Sequence, residues 1–284
     1  MASTVHPSLP GLRDLPALYP DLVACPKFDI HTHLSLQDIP DSPARVEQYI
    51  EDCAKVGITR FAVSRPFTGT GPETPPLETL GRANTMVVDL VRRYPGTIYG
   101  YVFVHAGYRQ WSLEEVDRSL EVPGMIGAKL YHQYLYSDPV VADLIRAVAE
   151  RGAVFLLHQG KSMDEAARRR QPLISDGEHI ARLAEAVPEA LLICGHIGGG
   201  GDWEWAIKAL EGVDSVWMDT SGSVIDGGMI ETAARCLGYR RLLFATDMSM
   251  DEGIGKMLAA GIPVAWKRAI FSANVEGLLR RAGR

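Results

Sequence analysis

Two histidines stand one residue apart at the end of an apolar run, in the segment FDIHTHL at residues 28–34. In a β-strand, side chains at positions i and i+2 point to the same face, so His31 and His33 would direct their imidazoles at one point. Two neutral imidazoles placed in this way form either a metal site or a polar pair within a core. The rest of the sequence has to decide between these two interpretations.

Four more polar residues end or follow apolar runs that offer them no polar partner within the same run. A charged lysine or aspartate inside a core is costly unless it is paired or bound to a metal ion. These side chains therefore predict a common polar site if the fold brings them together. They are Lys129, His158, His196 and Asp247.

Eight short apolar runs, alternating with segments of helical periodicity, would have to position these residues. The runs are nearly continuous in apolarity, as expected of parallel strands buried on both faces. Eight alternations predict an α/β fold, a (β/α)8 barrel of the TIM type, whose active site lies at the C-terminal ends of the strands. A doubly wound sheet is the alternative. The predicted strands are 27–34, 58–66, 98–107, 125–132, 153–160, 190–198, 216–222 and 242–248.

Capping residues mark where several of the intervening helices begin. Asp138 precedes Pro139 at the start of one amphipathic segment, which is a typical helix N-terminus. In the segment SLEEVDRSL, the spacing of Ser112 and Glu115 predicts a capping box.

Composition limits the class of protein. The 284 residues are 46% hydrophobic and 23% charged, with a net charge of −6, so we expect one globular domain at 27–284 after an N-terminal extension at 1–26. Four dispersed cysteines, with no Cys-x-x-Cys pair, argue against a thiolate zinc site and a disulfide framework. Nothing suggests nucleic-acid binding, and no signal-peptide core or run of about 18 apolar residues occurs. We therefore expect a soluble cytoplasmic protein.

The polar segments, taken together and in order, resemble the amidohydrolase superfamily, and most closely its amidohydrolase-related (amidohydrolase 2) branch. The resemblance rests on DIHTH, GAKLY, LLHQG, CGHIGGG and ATD, with support from the closing FSANVEGLL, and it extends from residue 27 to about 280. The segment ATDMSM departs from the more usual Asp-x-Pro pattern after strand 8. The match implies a shared metal site, whereas the substrate loops match no one member.

The resemblance implies a divalent metal ion held by His31, His33, His158 and Asp247. Three imidazoles with one carboxylate suit Zn²⁺, or less often Mn²⁺ or Fe²⁺, with room for a bound water. Such an ion lowers the pKa of its water to about 7, which makes hydroxide available at neutral pH. Asp247 would then act as the general base, and His196 would orient the water or polarise the reacting group.

Lys129 has two interpretations. In binuclear relatives, a lysine at the end of strand 4 is carboxylated and bridges two ions, and His158 and His196 bind the second ion. In many relatives of the same branch one ion suffices, and the residue at this position serves the substrate or the fold. We expect one ion here. A free lysine beside a dication needs a depressed pKa, a carboxylate neighbour or an anionic substrate group.

These residues predict a metal-dependent hydrolase that cleaves an ester, lactone or amide bond in a small organic acid. Arg65 and Lys161 are candidates for binding a substrate carboxylate. The alternative is a metal-dependent, non-oxidative decarboxylase of an unsaturated or aromatic acid, because relatives with the same ligands remove CO₂. A binding module without catalysis, the third class, predicts no bound ion. The expected partner is a small-molecule substrate, and the protein assembly that we expect, if the chain forms one, is a homo-oligomer.

Overall fold

The eight predicted strands form one parallel sheet in the computed structural model, with β1 to β8 adjacent in chain order. The structure describes residues 19–34, 43–68, 76–160, 164–197 and 199–284. Most of the expected N-terminal extension therefore lies outside the described residues, as does Lys161. The strands are β1 (Lys27–Thr32), β2 (Ile58–Val63), β3 (Ile98–Phe103), β4 (Met125–Leu130), β5 (Val154–Leu157), β6 (Leu191–Cys194), β7 (Val216–Asp219) and β8 (Leu242–Leu243).

Hydrogen bonds between β1 and the residues that follow β8 close the sheet into a barrel. The Ile30 N–H donates to the Phe244 carbonyl at 3.0 Å, and the Asp247 N–H donates to the His31 carbonyl at 2.9 Å. The buried Asp29 carboxylate strengthens this seam, because it accepts hydrogen bonds from the Thr246 N–H at 3.1 Å and the Thr246 hydroxyl at 2.5 Å. The predicted TIM-type barrel is confirmed.

The strands end earlier than the apolar runs predict, and β8 is the clearest case. Its run continues to residue 248, whereas the strand ends at Leu243. Side chains replace the strand ladder beyond that point: the Ala245 N–H donates to the Thr220 hydroxyl and the Thr246 N–H to Asp29. Of the predicted site residues, His33, His158, His196 and Asp247 therefore lie in loops at the C-terminal end of the barrel. His31 lies within β1 and Lys129 within β4.

Helices connect the strands. As expected, the Asp138 side chain caps its helix by accepting from the Val140 N–H. The prediction of a capping box at Ser112 is wrong, because that helix begins at Arg109 and the Ser112 hydroxyl donates to the His105 carbonyl instead. The helices are α1 (Pro20–Val23), α2 (Pro43–Ala54), α3 (Leu77–Arg93), α4 (Arg109–Leu120), α5 (Pro139–Ala149), α6 (Glu165–Arg170), α7 (Gly177–Ala186), α8 (Trp203–Leu210), α9 (Met229–Ala233), α10 (Met250–Ala259), α11 (Val264–Arg268) and α12 (Asn274–Arg281). Within the ranges that the structure describes, no helix is long and apolar enough to cross a membrane.

The barrel interior is apolar at its N-terminal end. Phe28, Ile126 and Val154, near the starts of their strands, share one buried cluster with Val275 and Leu278 of α12. A second, larger cluster fills the space between the strands and the surrounding helices. Because α12 packs against this end of the interior, the opposite end is left for the polar residues.

Lys27 connects the start of β1 to α1 through hydrogen bonds. Its ammonium group is buried and lies within 3.0 Å of four backbone carbonyl oxygens, at the end of α1, before β1 and before β2. A cation at a helix C-terminus satisfies carbonyls that have no partner within the helix. Lys27 is therefore a structural lysine, at the end of the barrel opposite the polar residues.

Replacing Lys27 by Met is expected to lower the free energy of unfolding by about 3 kcal/mol, because the carbonyls stay buried and lose their donor. Urea unfolding followed by circular dichroism measures this change. The matched control is Lys55→Met, which removes an exposed lysine paired with Asp52 and should change stability within experimental error. Equal stabilities of the two variants would contradict the role given to Lys27.

Candidate metal centre

Three of the predicted metal ligands meet at the C-terminal end of the barrel. His31, His33 and Asp247 each place one ligand atom within 4.8 Å of the others. The Asp247 Oδ1 atom lies 3.2 Å from Nε2 of His33 and 3.7 Å from Nε2 of His31. The first and last strands of the barrel thus bring together side chains that are far apart in the sequence.

Hydrogen bonds on the far side of each ring fix the tautomers of both histidines. Nδ1 of His31 donates to Asp219 at 2.8 Å, and Nδ1 of His33 donates to the Ser64 carbonyl at 2.9 Å. Each Nε2 therefore keeps its lone pair for the side that faces Asp247. Histidine ligands of metal ions are oriented in this way.

The charges at this point also suit a cation. Burial, together with the nearby Lys129, lowers the pKa of His31, so the ring is neutral. Burial alone would raise the pKa of Asp247, but the surrounding His31, His33 and His196 hold it well below its usual range. Two imidazole lone pairs facing an ionised carboxylate repel one another unless a positive charge lies between them. The donor set thus fits a divalent ion.

Lys129 supplies a positive charge beside this group. Its side chain is fully buried, and Nζ lies 3.0 Å from Nε2 of His31, to which it donates. Burial lowers the pKa of Lys129 to about 8, and the nearby Asp247 and Asp219 oppose that shift. The amine and a metal ion would compete for the same lone pair on His31.

His158 and His196 form a hydrogen-bonded pair next to the three ligands. Nδ1 of His158 and Nε2 of His196 are 2.8 Å apart. The Ser221 hydroxyl donates to Asp219, so it accepts from Nδ1 of His196, and Nε2 of His196 must then accept from His158. Nε2 of His158 keeps a lone pair, but His158 is not part of the group within 4.8 Å. Its part as a ligand stays a prediction.

Both histidines of this pair are neutral. Burial, assisted by the nearby His31, lowers the pKa of His196 to about 3. Burial and the neighbouring His196 also lower the pKa of His158 well below its usual value. His196 further lies with Nδ1 3.5 Å from Oδ2 of Asp247, which connects the pair to the ligand group.

Asp219, at the end of β7, contacts both the ligand group and the His158–His196 pair, and it was not predicted from the sequence. Its buried carboxylate accepts hydrogen bonds from the His31 ring, the His196 N–H, and the N–H and hydroxyl of Ser221. Burial would raise its pKa, but the nearby His31 and these hydrogen bonds lower it. The available signal was an aspartate inside the apolar run VWMDTSG.

Replacing Asp219 by Asn is expected to weaken divalent-ion binding by about 10–100-fold, the usual cost of losing a partner of a histidine ligand. An asparagine side chain at this position would carry no charge to hold His31 in its present tautomer. Competition with a chromophoric chelator measures the affinity, and thermal unfolding checks that the variant is folded. Asp214→Asn, a change at an exposed aspartate, is the control and should bind as the parent protein does.

Strained backbone marks the same site. His196 has φ of 66° and Asp247 has φ of 49°, which place both in the left-handed region that most residues avoid. The Asp247 N–H is held by the His31 carbonyl, and the His196 N–H by Asp219. Such strain persists only where surrounding contacts enforce it, and it concentrates at functional sites.

A cavity of about 790 Å³ opens above the ligand group, and we call it the large cavity. Tyr131 forms part of its wall and stacks on His158 with ring centroids 4.0 Å apart. Burial and the nearby Asp247 raise the pKa of Tyr131 to about 12, so its hydroxyl stays protonated. Arg65 lines the cavity and contacts the Met86 sulfur. The remaining lining includes His33, Ser64, Phe67, Leu80, Arg82, His196, Asp247 and Met248.

Comparison with protein families gives one match. The model of a family described as amidohydrolase matches residues 28–281. Among curated proteins, none matches the chain significantly.

Solved structures with the same fold include two decarboxylases and a protein described provisionally as a hydrolase. A 2,6-dihydroxybenzoate decarboxylase from Rhizobium is 17% identical, with a TM-score of 0.69, over 90% of this chain and 98% of that chain. A dihydroxybenzoic acid decarboxylase from Polaromonas sp. JS666, with bound manganese and 2-nitroresorcinol, is 17% identical with a TM-score of 0.69, over 90% and 97% of the two chains. A Pseudomonas putida protein described provisionally as a 2-pyrone-4,6-dicarboxylic acid hydrolase is 17% identical with a TM-score of 0.62, over 90% and 98%. At such identities the likeness establishes the fold.

Proposed function

The chain belongs to the amidohydrolase family, and from that premise we propose that it is a metal-dependent hydrolase of an ester, lactone or amide bond in a small carboxylate-bearing substrate. One observation carries the proposal. Two imidazole lone pairs and an ionised carboxylate face one another, and two of the three residues, His33 and Asp247, line the large cavity. An ion bound at this position would be accessible to a substrate in the cavity.

We assign the ion to His31, His33 and Asp247, with His158 as the fourth ligand. Zn²⁺ is our first choice, and Mn²⁺ or Fe²⁺ suits the same donors. When bound, such an ion polarises a carbonyl group and makes water more acidic. We expect a single ion, with Lys129 as a cation beside His31.

Asp247 and His196 are the residues to which we assign proton handling. Asp247 is ionised and partly exposed to the large cavity, so it can accept a proton from the attacking water. His196 is neutral and lies between His158 and Asp247, which suits it to orient the water or the reacting group. Tyr131 offers a protonated hydroxyl on the same wall of the cavity.

The lining of the large cavity favours an organic acid as the substrate. Phe67, Met86 and Tyr131 provide apolar and aromatic surface, whereas Arg65 and Arg82 add positive charge. A guanidinium group can bind a carboxylate through two parallel hydrogen bonds. We therefore place the hydrocarbon part of the substrate against the aromatic wall and its carboxylate toward the arginines.

Decarboxylation of an aromatic acid is the second candidate. The same apolar and cationic lining would accept such an acid, and two of the similar structures are decarboxylases of dihydroxybenzoates. In that reaction Asp247 would assist protonation of the ring carbon rather than of a leaving group. The ligands would be the same.

A substrate panel tests the two candidates against each other. Ion-loaded protein is incubated with aryl and alkyl esters, amides and lactones of dicarboxylic acids, and with hydroxybenzoates, and the products are identified by chromatography and CO₂ release. We expect cleavage of an ester, amide or lactone, and about one equivalent of ion per chain. CO₂ release from a hydroxybenzoate without any hydrolysis would overturn the proposal, and the absence of any bound ion would favour a binding module.

A further inference from the structure

A second cavity, of about 250 Å³, lies on the other side of the proposed reaction centre, and we call it the small cavity. His158, His196 and Asp247 line both cavities. The other walls of the large cavity come from the loops after β1, β2, β4 and β8 and from α3. Those of the small cavity come from the loops after β5 to β8 and from the segment between α6 and α7. A group held at the three shared side chains therefore borders two separate spaces.

The two spaces differ in charge and size. The large cavity carries Arg65 and Arg82, whereas the described lining of the small cavity, apart from the three shared residues, consists of glycines, hydroxyls, two amides and Ile174. Since one water takes about 30 Å³ of liquid volume, the small cavity accommodates roughly eight groups of that size. The described part of the small cavity therefore offers no cation to a carboxylate, and it suits a neutral group smaller than the part of the substrate in the large cavity.

Gln159 adds a specific acceptor to the small cavity. Its side chain is fully buried, and Nε2 donates to the His196 carbonyl at 2.6 Å, which fixes the orientation of the amide. Its Oε1 accepts no hydrogen bond from the described residues. Because a buried acceptor without a donor is costly, this wall favours a ligand with an O–H or N–H group.

We infer that the small cavity receives the leaving group of the cleaved bond, a short neutral alcohol or amine, while the charged acyl part occupies the large cavity. The inference rests on the proposed hydrolysis and narrows it to acyclic esters and amides. In a lactone the leaving oxygen stays tethered to the acyl part, so it cannot move into a separate space.

The position of Asp247 between the two cavities fits this division of the substrate. The water oxygen bonds to the carbonyl carbon as Asp247 accepts its proton. The bond from carbon to the leaving oxygen or nitrogen then breaks, its electron pair goes to the leaving atom, and Asp247 returns the proton there. The products are an acid on the side of the large cavity and a neutral alcohol or amine on the side of the small cavity.

A series of esters of one dicarboxylic acid, with alcohols from methyl to hexyl, tests the inference through kcat/KM. We expect kcat/KM to fall as the alcohol lengthens. Ile174→Ala, which enlarges the small cavity, should raise the ratio of hexyl to methyl ester turnover about tenfold, and Ile174→Phe should lower it. Met86→Ala enlarges the large cavity instead and should leave that ratio unchanged. Ratios that respond to Met86 and not to Ile174 would overturn the inference even though hydrolysis occurs.

A binding measurement keeps the test independent of turnover. Acetamide, titrated into ion-loaded protein and followed by amide NMR, should shift the signals of Gly200 and Gly222 in the parent protein, and Ile174→Phe should weaken this response. Acetate should not shift these signals. No response to acetamide, or an equal response to acetate, would overturn the inference. Acetamide binding combined with CO₂ release as the only activity would remove the proposed hydrolysis but support a site for a neutral group.

Discussion

Asp247→Asn is expected to lose turnover by a factor of about 10²–10⁴, the usual contribution of a general base, while it keeps most of its metal ion. The amide oxygen of asparagine can still coordinate an ion, but an amide accepts no proton at neutral pH. Asparagine also tolerates the left-handed backbone at this position, where φ is 49°. The variant therefore separates ligation from proton transfer with little change of structure.

Metal analysis and steady-state kinetics on the same preparation measure this separation. In the parent protein, kcat/KM should fall on the acidic side as Asp247 and its attacking water become protonated, and the variant should lack this limb. Asp251→Asn, a change at an exposed aspartate on α10, is the control and should retain both ion and turnover. Near-normal turnover of Asp247→Asn with the ion in place would show that the base is another group.

His33→Ala is expected to abolish both ion binding and activity, because it removes one of the two Nε2 lone pairs that face Asp247 and would bind the ion. His33 is more suitable for this test than His31. The His31 ring donates to Oδ2 of the buried Asp219, so its removal would leave that oxygen without its donor and destabilise the fold. His33 donates only to Ser64 on its far side and lies at the edge of the large cavity.

Calorimetric titration with Zn²⁺ and Mn²⁺, together with assays of the loaded protein, checks this expectation. His179→Ala is the control: His179 belongs to the capping box of α7, and its loss should cost stability but not the ion. His158→Ala should also lose the ion if His158 is the fourth ligand. Ion binding at parental affinity by His33→Ala would place the metal centre elsewhere.

The strands and their order were predictable because each strand is an apolar run buried on both faces. Where the strands end was not predictable. At β8, hydrogen bonds from the backbone N–H groups of Ala245 and Thr246 to the side chains of Thr220 and Asp29 replace the strand ladder, and these two acceptors are distant in the chain. Apolarity reports burial, and Phe244 and Ala245 are buried whether or not they belong to a strand.

Within the site, several residues could be predicted from the sequence, but the contacts between their side chains could not. His31 and His33 were recognisable from their spacing, and Lys129 from its place in an apolar run. No pattern along the chain predicts that Lys129 contacts His31, that His158 binds His196, or that Asp219 supports both imidazole systems. These contacts depend on the closure of the barrel, which places β4 to β8 around β1.

The seam between β1 and β8 links the proposed site to the order in which the chain is made. Asp29, His31 and His33 leave the ribosome early, whereas Thr246 and Asp247, which pair with them, are among the last parts of the barrel to be synthesised. A nascent or truncated chain that ends before β8 has no Asp247 carboxylate to complete the ligand group and no Thr246 to donate to Asp29. An ion that binds His31, His33 and Asp247 would bind only the closed barrel, and it would stabilise that closure in proportion to its affinity. Loading with metal would thus report that synthesis and folding of the whole barrel are complete.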